Sequence, residues 1–407
     1  MSADLLFHVL LALGVVVVFG HVLGRLMAAI GQPPVIGEVL SGILLGPSLV
    51  GRIVPATETY LFPESIRPAL GVIAQLGVVL YMFAVGLEFD AASLRRRAAP
   101  FVFTSLASIA VPFALGCGLA VFISGTFSPP GVPFLAFALF MGVAMSITAF
   151  PVLARILTDR GLSRTEVGVA ALTCAAVNDV TAWCLLAVAV GVARATVSGA
   201  LMATVLTVAF ILFMFLVVRP IAVRLVDAHA ASEPSQSAIT WTLLGMLASA
   251  ITAEVIGIHA IFGAFIFGAI LPTDSPVAER LAVQRTPVVT ILFLPAFFAL
   301  TGLRTEIGLV SSAADWAICL LIIVLATAGK FGGTVAAATT AGMPWRFAAQ
   351  LGALMNTRGL MELVVLNVGL DLGVLTPSLF TMMVLMAIVT TAMTAPLLDV
   401  LRRGQSV

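Results

Sequence analysis

Two apolar stretches that resemble each other decide the fold: Ile36-Gly-Glu-Val-Leu-Ser-Gly-Ile-Leu-Leu-Gly-Pro47 and Ile258-His-Ala-Ile-Phe-Gly-Ala-Phe-Ile-Phe-Gly-Ala-Ile-Leu-Pro272. A second match follows each of them in the same order, between Phe83-Ala-Val-Gly-Leu-Glu88 and Phe298-Ala-Leu-Thr-Gly-Leu-Arg304. Paired matches in one order indicate a repeated structural unit. The alternative is that glycine-rich apolar helices resemble one another by composition alone.

The composition around these stretches is that of an integral membrane protein. Of the 407 residues, 61% are hydrophobic and 10% are charged, which lies far outside the range of soluble domains. A net charge of +1 provides no basic surface for nucleic acid. The four cysteines lack disulfide or zinc-ligand spacing, and the four histidines are scattered singly. The sequence therefore predicts neither an enzyme nor a bound cofactor, but a chain in contact with lipid.

Cutting the chain at clusters of charge, proline and glycine predicts an all-α polytopic protein, since a helix of about 20 apolar residues crosses a bilayer. About thirteen transmembrane helices result, at roughly 5–30, 34–50, 69–88, 99–124, 132–157, 165–193, 197–226, 238–256, 258–272, 286–303, 314–340, 345–370 and 376–401.

Arginine positions predict the orientation. With the N-terminus outside, about 14 arginines face the cytoplasm, among them Arg95, Arg96, Arg97, Arg280 and Arg285, and about four face outward. The positive-inside rule then gives an N-out, C-in, multi-pass protein of the cell (inner) membrane. The repeated units begin at the second and ninth spans, seven apart, so their topologies are opposite. Inverted repeats of this kind are typical of secondary transporters, whose sites lie near the membrane midplane.

Asp179 is the clearest candidate for such a site. It lies fifteen residues from both Arg164 and Arg194, about 22 Å of helix from either end of its span. An ionisable group there costs at least about 2.5 kcal/mol, so it needs a function. A hard monovalent cation prefers oxygen ligands, and a carboxylate removed from water can be neutralised by a proton instead. Asp179 is therefore predicted to bind the transported metal cation and the proton in turn.

Two neighbours of this site leave alternatives open. Asn178 cannot face the ion as Asp179 does, because consecutive helical positions point about 100° apart; its amide either contributes to the ion site or braces an adjacent helix. Lys330, the only lysine, also lies at mid-span. It either pairs with Asp179 when no cation is bound, or supports a crossing of broken helices by donating to free carbonyls.

Two spans are predicted to be discontinuous. In Ser146-Ile-Thr-Ala-Phe-Pro151, the proline removes a backbone donor and frees upstream carbonyls. The stretch Gly352-Ala-Leu-Met-Asn-Thr-Arg-Gly-Leu-Met-Glu362 occupies the matching place in the second repeat. Interrupted helices in matched positions indicate a transport site. We therefore add Ser146 and Thr148 as ion-binding candidates, with Pro151, Asn356 and Thr357 in support.

Three further charged residues are expected to have mainly structural roles. Arg358 and Glu362 are four residues apart on one helical face and are expected to neutralise each other beside the site. Glu38 lies near a span end, where we expect a packing or interface group that can also help to attract cations.

The strings Ser146–Leu157, Asn178-Asp179, Lys330 and Asn356–Leu363 together resemble the monovalent cation:proton antiporter-2 family, above all its plant-type exchangers and their bacterial relatives. The resemblance implies a homodimer whose core moves like an elevator and whose carrier residue is Asp179. As one transmembrane exchanger domain over 1–407, the chain would have its dimerisation part at roughly 1–68 and 197–272. The core transport part would cover roughly 69–193 and 286–403.

Departures from the family pattern refine this expectation. Electrogenic members have two adjacent aspartates, whereas Asn178 precedes Asp179 here, which predicts electroneutral one-for-one exchange of Na⁺ or K⁺ for H⁺. Many relatives have aspartate before the proline of the broken fifth span, where this chain has Phe150. Some carry a C-terminal nucleotide-binding domain; we expect that regulation to be absent or supplied by a separate subunit.

Two other transporter classes compete with the exchanger. A cation channel would use similar oxygen ligands, but no filter-like repeat of glycines is found. A symporter for an organic ion would share crossed broken helices, yet it would also need an apolar substrate cavity. The Asp179 and Lys330 pair at mid-membrane favours proton coupling.

Overall fold

A computed structural model describes residues 3–87, 101–194, 197–227, 236–257, 259–272 and 288–402. Every regular element in these ranges is a helix, as predicted. Seven residues used above lie outside them: Glu88, Ile258, Arg95, Arg96, Arg97, Arg280 and Arg285.

In chain order the α-helices are α1 (Ala3–Ala29), α2 (Pro34–Leu45), α3 (Val50–Ile53), α4 (Pro55–Leu61), α5 (Arg67–Leu87), α6 (Val102–Phe127), α7 (Phe134–Ser146), α8 (Phe150–Asp159), α9 (Glu166–Arg194), α10 (Val197–Phe213), α11 (Arg219–Asp227), α12 (Gln236–Ile256), α13 (Ala260–Ile270), α14 (Leu294–Leu303), α15 (Ala313–Thr327), α16 (Gly333–Thr340), α17 (Trp345–Met355), α18 (Leu360–Asp371) and α19 (Pro377–Arg402). Single π-helical turns at Met214–Val218, Val289–Phe293 and Ala328–Gly332 continue into α11, α14 and α16, and 3₁₀ turns lie at Glu64–Ile66 and Ile307–Leu309.

The length of these helices fits a bilayer. Within the described ranges, ten helices are long and apolar enough to cross a membrane, and α7 and α13 are shorter apolar helices. Only helices satisfy all backbone hydrogen bonds within one lipid-exposed segment, which explains why such an apolar chain folds this way. The multi-pass membrane protein is confirmed, whereas the count of thirteen spans stays a prediction.

Helices α2 and α14 cross where two glycines allow their backbones to touch. A Cβ on Gly42 would collide with the backbone of Ala299, and one on Gly302 would collide with the carbonyl of Val39. Any larger residue at either glycine would push the helices apart, so this contact fixes how the two spans pack.

Helices α13 and α5 repeat the same crossing. Gly268 lies against the carbonyl of Phe83, and Gly86 lies against that of Phe265. When the matched stretches are aligned, these contacts correspond to those between α2 and α14, glycine for glycine and carbonyl for carbonyl. A two-fold relation between the repeats exchanges the two crossings. The repeat is thereby supported by structure, because similarity of composition alone would not reproduce the same contact partners.

The helices pack in two groups, and which part of the chain dimerises and which part transports stays a prediction. Helix α5 packs mainly on α13 and α14, and α14 packs on α1, α2 and α5. The predicted core transport part included both α5 and α14. By contact they belong with α1, α2, α12 and α13, which we call the frame, whereas α6–α9 and α15–α19 form a second group, the core. The sequence could not reveal this, because helices apolar on all sides do not indicate their neighbours.

Both predicted discontinuous helices are broken, and their breaks meet. Helix α7 ends at Ser146 and α8 begins at Phe150, while α17 ends at Met355 and α18 begins at Leu360. The backbone N–H of Ala149 donates to the Thr357 carbonyl at 3.0 Å. Each interruption leaves backbone groups without a partner in their own helix. This bond pairs one such N–H with one such carbonyl, which lipid could not do.

Candidate ion-binding site

Asp179 lies on α9 beside the crossing of the broken helices. Its side chain is 4% exposed, and its carboxyl faces the backbone N–H of Phe150, the first residue of α8. A helix N-terminus stabilises negative charge through its free N–H groups and its dipole. The Oδ1 atom of Asp179 has no hydrogen-bond partner among the described residues. One oxygen of this buried carboxyl is thus available to an ion.

Lys330 is fully buried on the π-helical turn between α15 and α16. Its Nζ donates to Thr148 Oγ1 at 2.7 Å, and Thr148 Oγ1 in turn donates to the Met355 carbonyl at 2.8 Å. The lysine is therefore connected through one hydroxyl to the C-terminal end of α17, where positive charge is favourable. Lys330 and Asp179 interact electrostatically, but no ion pair within 4.0 Å joins these two described residues. Which of its two predicted roles Lys330 has stays a prediction.

Asn178 completes the surroundings of the lysine. Its amide has complementary partners only when Oδ1 points toward Lys330 Nζ, at 3.2 Å, and accepts from Ser108 Oγ at 3.0 Å. Its Nδ2 then donates to the Ser105 carbonyl at 3.2 Å and to Ser105 Oγ at 3.0 Å. Asn178 thus braces α6 and Lys330. Its predicted part in ion binding, and that of Thr148, stays a prediction, because both side chains bind the lysine in this structure.

Arg358 and Glu362 form the expected ion pair, with Nη1 and Oε2 3.0 Å apart and both side chains fully buried. The guanidinium also donates to the carbonyls of Ala144 and Met145, at 2.8 and 2.7 Å. These carbonyls belong to the last turn of α7, so Arg358 neutralises the negative end of one half-helix. Glu362 lies in the first turn of α18, at the positive end of another.

The remaining predicted residues lie around the same crossing. Ser146 Oγ donates to the Val143 carbonyl at 2.9 Å and keeps its lone pairs free to accept. Asn356 Nδ2 is 3.5 Å from the Thr390 carbonyl, and its Oδ1 has no partner among the described residues. Pro151 occupies the first turn of α8, where a missing N–H costs nothing.

Sequence reasoning missed three side chains at the site. Ser105 and Ser108 hold Asn178. Thr391 Oγ1 accepts from the backbone N–H of Arg358 at 2.9 Å, much as Asp179 faces the N–H of Phe150. The available signal was small polar residues one turn apart inside apolar helices, at Ser105 and Ser108 and again at Thr391 and Thr394.

The transmembrane domain of a known transporter family accounts for nearly the whole chain. A family model described as "Sodium/hydrogen exchanger, transmembrane" matches residues 11–400. The chain belongs to the sodium/hydrogen exchanger family. The resemblance to cation:proton antiporters is confirmed, and this exchanger is a member of a family of transporters, not of enzymes.

Curated relatives of this exchanger are antiporters of monovalent cations. It is 42% identical to "Na(+)/H(+) antiporter NhaS4" of Synechocystis over 98% of both chains. It is 38% identical to "Cation/H(+) antiporter 19" of Arabidopsis thaliana, over 96% of this chain and 49% of that one. It is 36% identical to "K(+)/H(+) antiporter 1" of Saccharomyces cerevisiae, over 91% and 45%. The exchanger thus spans about half the length of the plant and yeast relatives.

A solved structure supports the fold. The sodium proton antiporter MjNhaP1 from Methanocaldococcus jannaschii superposes on this exchanger with a TM-score of 0.68 over 98% of both chains. The sequences are 13% identical, so the likeness speaks for the arrangement of helices alone. The predicted antiporter fold is confirmed.

Proposed function

We propose that the chain exchanges Na⁺ or K⁺ for H⁺ across the cell membrane, with Asp179 binding the two ions in turn. The observation that carries the proposal is the buried Asp179 carboxyl, which faces the start of α8 and keeps Oδ1 without a described partner. The carboxyl can hold either a cation or a proton there, but not both. Relatives named for Na⁺ and for K⁺ leave both cations as substrates to be tested.

The other ligands are proposed from oxygens around the crossing. Ser146 Oγ can accept a cation while it still donates to the Val143 carbonyl, and Asn356 Oδ1 has no partner among the described residues to give up. Thr148 and Asn178 hold Lys330, and they would join the ion site only if the lysine moves. Arg358 and Glu362 keep the half-helix ends neutral, so the ion experiences the charge of Asp179 rather than theirs.

An ion-flux assay tests this function. The purified protein is placed in liposomes with a pH-sensitive dye, and Na⁺, K⁺, Li⁺ or Rb⁺ is added against an acid interior. We expect a saturable rise of the interior pH with at least one cation. Cation uptake without proton movement would indicate the channel, and dependence on an organic solute would indicate the symporter.

We further propose an elevator motion, in which the core slides against the frame and carries Asp179 between the two faces. Two features support it. The frame helices are joined through backbone contacts at glycines, and the ion site lies wholly on core helices. We also propose a homodimer, an N-out orientation and a separate regulatory subunit. Chemical cross-linking tests the two associations, and the accessibility of introduced cysteines tests the orientation.

Exchange is proposed to be electroneutral, because Asp179 is the carboxylate of the site and Asn178 is neutral. An imposed membrane potential should then leave the exchange rate unchanged. The potential across the vesicle membrane is set without a potassium gradient, because K⁺ is itself a candidate substrate. Asn178→Asp is the matched variant and should make the rate depend on voltage if it folds. Strong voltage dependence of the unmodified protein would contradict one-for-one exchange and would mean that Lys330 or another group carries an extra charge.

A further inference from the structure

A cluster of polar side chains joins the frame to the core where α14 and α18 end. Asn367 of α18 donates from Nδ2 to Thr301 Oγ1 of α14 at 2.9 Å, and Arg304 donates from Nη1 to Asn367 Oδ1 at 3.0 Å. The same Nη1 atom lies 2.8 Å from Asp371 Oδ1. Because α14 belongs to the frame and α18 to the core, the core cannot slide along the frame until these contacts separate.

The charges of the two helix ends explain why an arginine lies here. Arg304 directly follows the last residue of α14, and Asp371 is the last residue of α18. The C-terminal end of each helix carries partial negative charge from carbonyls without an intrahelical partner. Asp371 adds a full negative charge. The guanidinium of Arg304 offsets these charges together, so it favours the arrangement in which the two helix ends are adjacent.

The exposure of the charged pair allows this contact to open and close. The side chains of Arg304 and Asp371 are 35% and 43% exposed. Water can replace either partner, so separating an exposed pair costs far less than separating a fully buried one. The bond between Thr301 and Asn367 is neutral and adds a second, directional contact. Such a cluster holds the frame and the core together, yet it can separate in every transport cycle.

A second carboxylate is available to Arg304 on the frame. Arg304 lines a cavity of about 540 Å³ together with Glu58, Glu64 and Arg67. Glu58 is already paired with Arg67, at 3.6 Å. Glu64 lies in the 3₁₀ turn before α5 and is exposed, and its carboxylate has no hydrogen bond or ion pair within the part of the chain that the structure describes. Glu64 is therefore the free carboxylate in this cavity for an arginine released from the core.

We propose that Arg304 is a latch that switches between the core and the frame. In this structure it binds Asn367 and Asp371 and keeps the two helix groups closed at this end, which is the outer face in the proposed orientation. When the core slides, Arg304 turns into the cavity and binds Glu64, which stabilises the arrangement that is open at the outer face. The inference rests on the proposed elevator motion. These residues then set how often the exchanger opens outward, without contacting the ion.

The test measures how often the contact opens to the outer face. Thr301→Cys provides the reporter, because Thr301 is 1% exposed and lies against the core. In this background, the rate of labelling by a membrane-impermeant maleimide is measured in oriented vesicles. Asp371→Asn should raise the rate about threefold, because it weakens the closed arrangement alone. Glu64→Gln should lower the rate, because it removes the partner of Arg304 in the open arrangement alone.

Both effects should require Arg304. In an Arg304→Gln background, Asp371→Asn and Glu64→Gln should no longer change the labelling rate, since each acts through the guanidinium. Asp315→Asn is the matched control, because its carboxylate bonds Ser312 within one turn at the start of α15. Equal labelling in Asp371→Asn and in its background, effects of the same sign in Asp371→Asn and Glu64→Gln, or effects that persist without Arg304 would each overturn the latch.

A disulfide across the contact provides a second measurement. Thr301→Cys with Asn367→Cys places two thiols where a hydrogen bond of 2.9 Å joins the side chains. Oxidation should stop exchange and a reductant should restore it, whereas each single variant should be insensitive to the oxidant. Continued exchange with the disulfide formed would overturn the latch. If the unmodified protein exchanges no cation for protons, the proposed function fails; exchange by the unmodified protein with equal labelling in all variants overturns this inference alone.

Discussion

Asp179→Asn should reduce cation-driven proton movement to the level of liposomes without protein. The amide has nearly the shape of the carboxyl, but it cannot hold a proton or supply the negative charge that a dehydrated cation requires. The substitution also removes a buried charge, so the protein should fold and retain its melting temperature. The measurement is the dye assay, with thermal unfolding in detergent beside it.

The control for Asp179→Asn is Asp315→Asn. Asp315 forms a capping box with Ser312 at the start of α15 and is partly exposed. Asparagine there removes the same carboxylate far from the crossing, so exchange should continue. Coupled exchange in Asp179→Asn above the level of empty liposomes would show that another group carries the ions.

Arg358→Gln should destabilise the protein by about 3 kcal/mol or more, because it leaves Glu362 as a buried charge without a partner. The change also removes the donors to the carbonyls of Ala144 and Met145, at the end of α7. Thermal unfolding of the purified protein measures the loss. The double variant Arg358→Gln with Glu362→Gln should recover part of it, since it removes both charges.

A second arginine pair provides the comparison. Arg304 Nη1 lies 2.8 Å from Asp371 Oδ1, as close as the buried pair, but the two side chains are 35% and 43% exposed. Exposed pairs contribute about 0–1 kcal/mol, so Arg304→Gln should change stability little. Equal melting temperatures for Arg304→Gln and Arg358→Gln would contradict the role assigned to burial.

The sequence predicted those parts of the fold that depend on local chemistry. Pro151 and Gly359 each lie at a break, because proline lacks a donor and glycine allows close packing: a Cβ on Gly359 would lie 2.5 Å from Val152 Cγ2. The Arg358–Glu362 pair forms as predicted, but not on one helical face: Arg358 lies in the break before α18 and Glu362 in the first turn of α18. The matched glycines identified the repeat, because helices whose backbones touch require glycine at the point of contact.

The partners of Lys330 could not be predicted in the same way. Its contacts with Thr148 and Asn178 join three spans, and the π-helical turn that carries it has no distinct sequence pattern. The assignment of α5 and α14 to the frame likewise depends on which apolar surfaces meet. Contacts between distant segments are fixed by packing, which hydrophobic runs alone do not specify.

The two copies of the repeat have the same helix contacts but differ in the chemistry of their side chains. In the alignment that pairs Gly37 with Gly263, the counterpart of Glu38 is Ala264, and in the one that pairs Gly86 with Gly302, the counterpart of Tyr81 is Phe297. The repeated scaffold therefore carries a partly buried carboxyl group at one of the two matched places and a fully buried methyl group at the other. With this chemical difference, an exchanger could bind cations from the two compartments with different affinities, even though the ion gradients alone set its net direction.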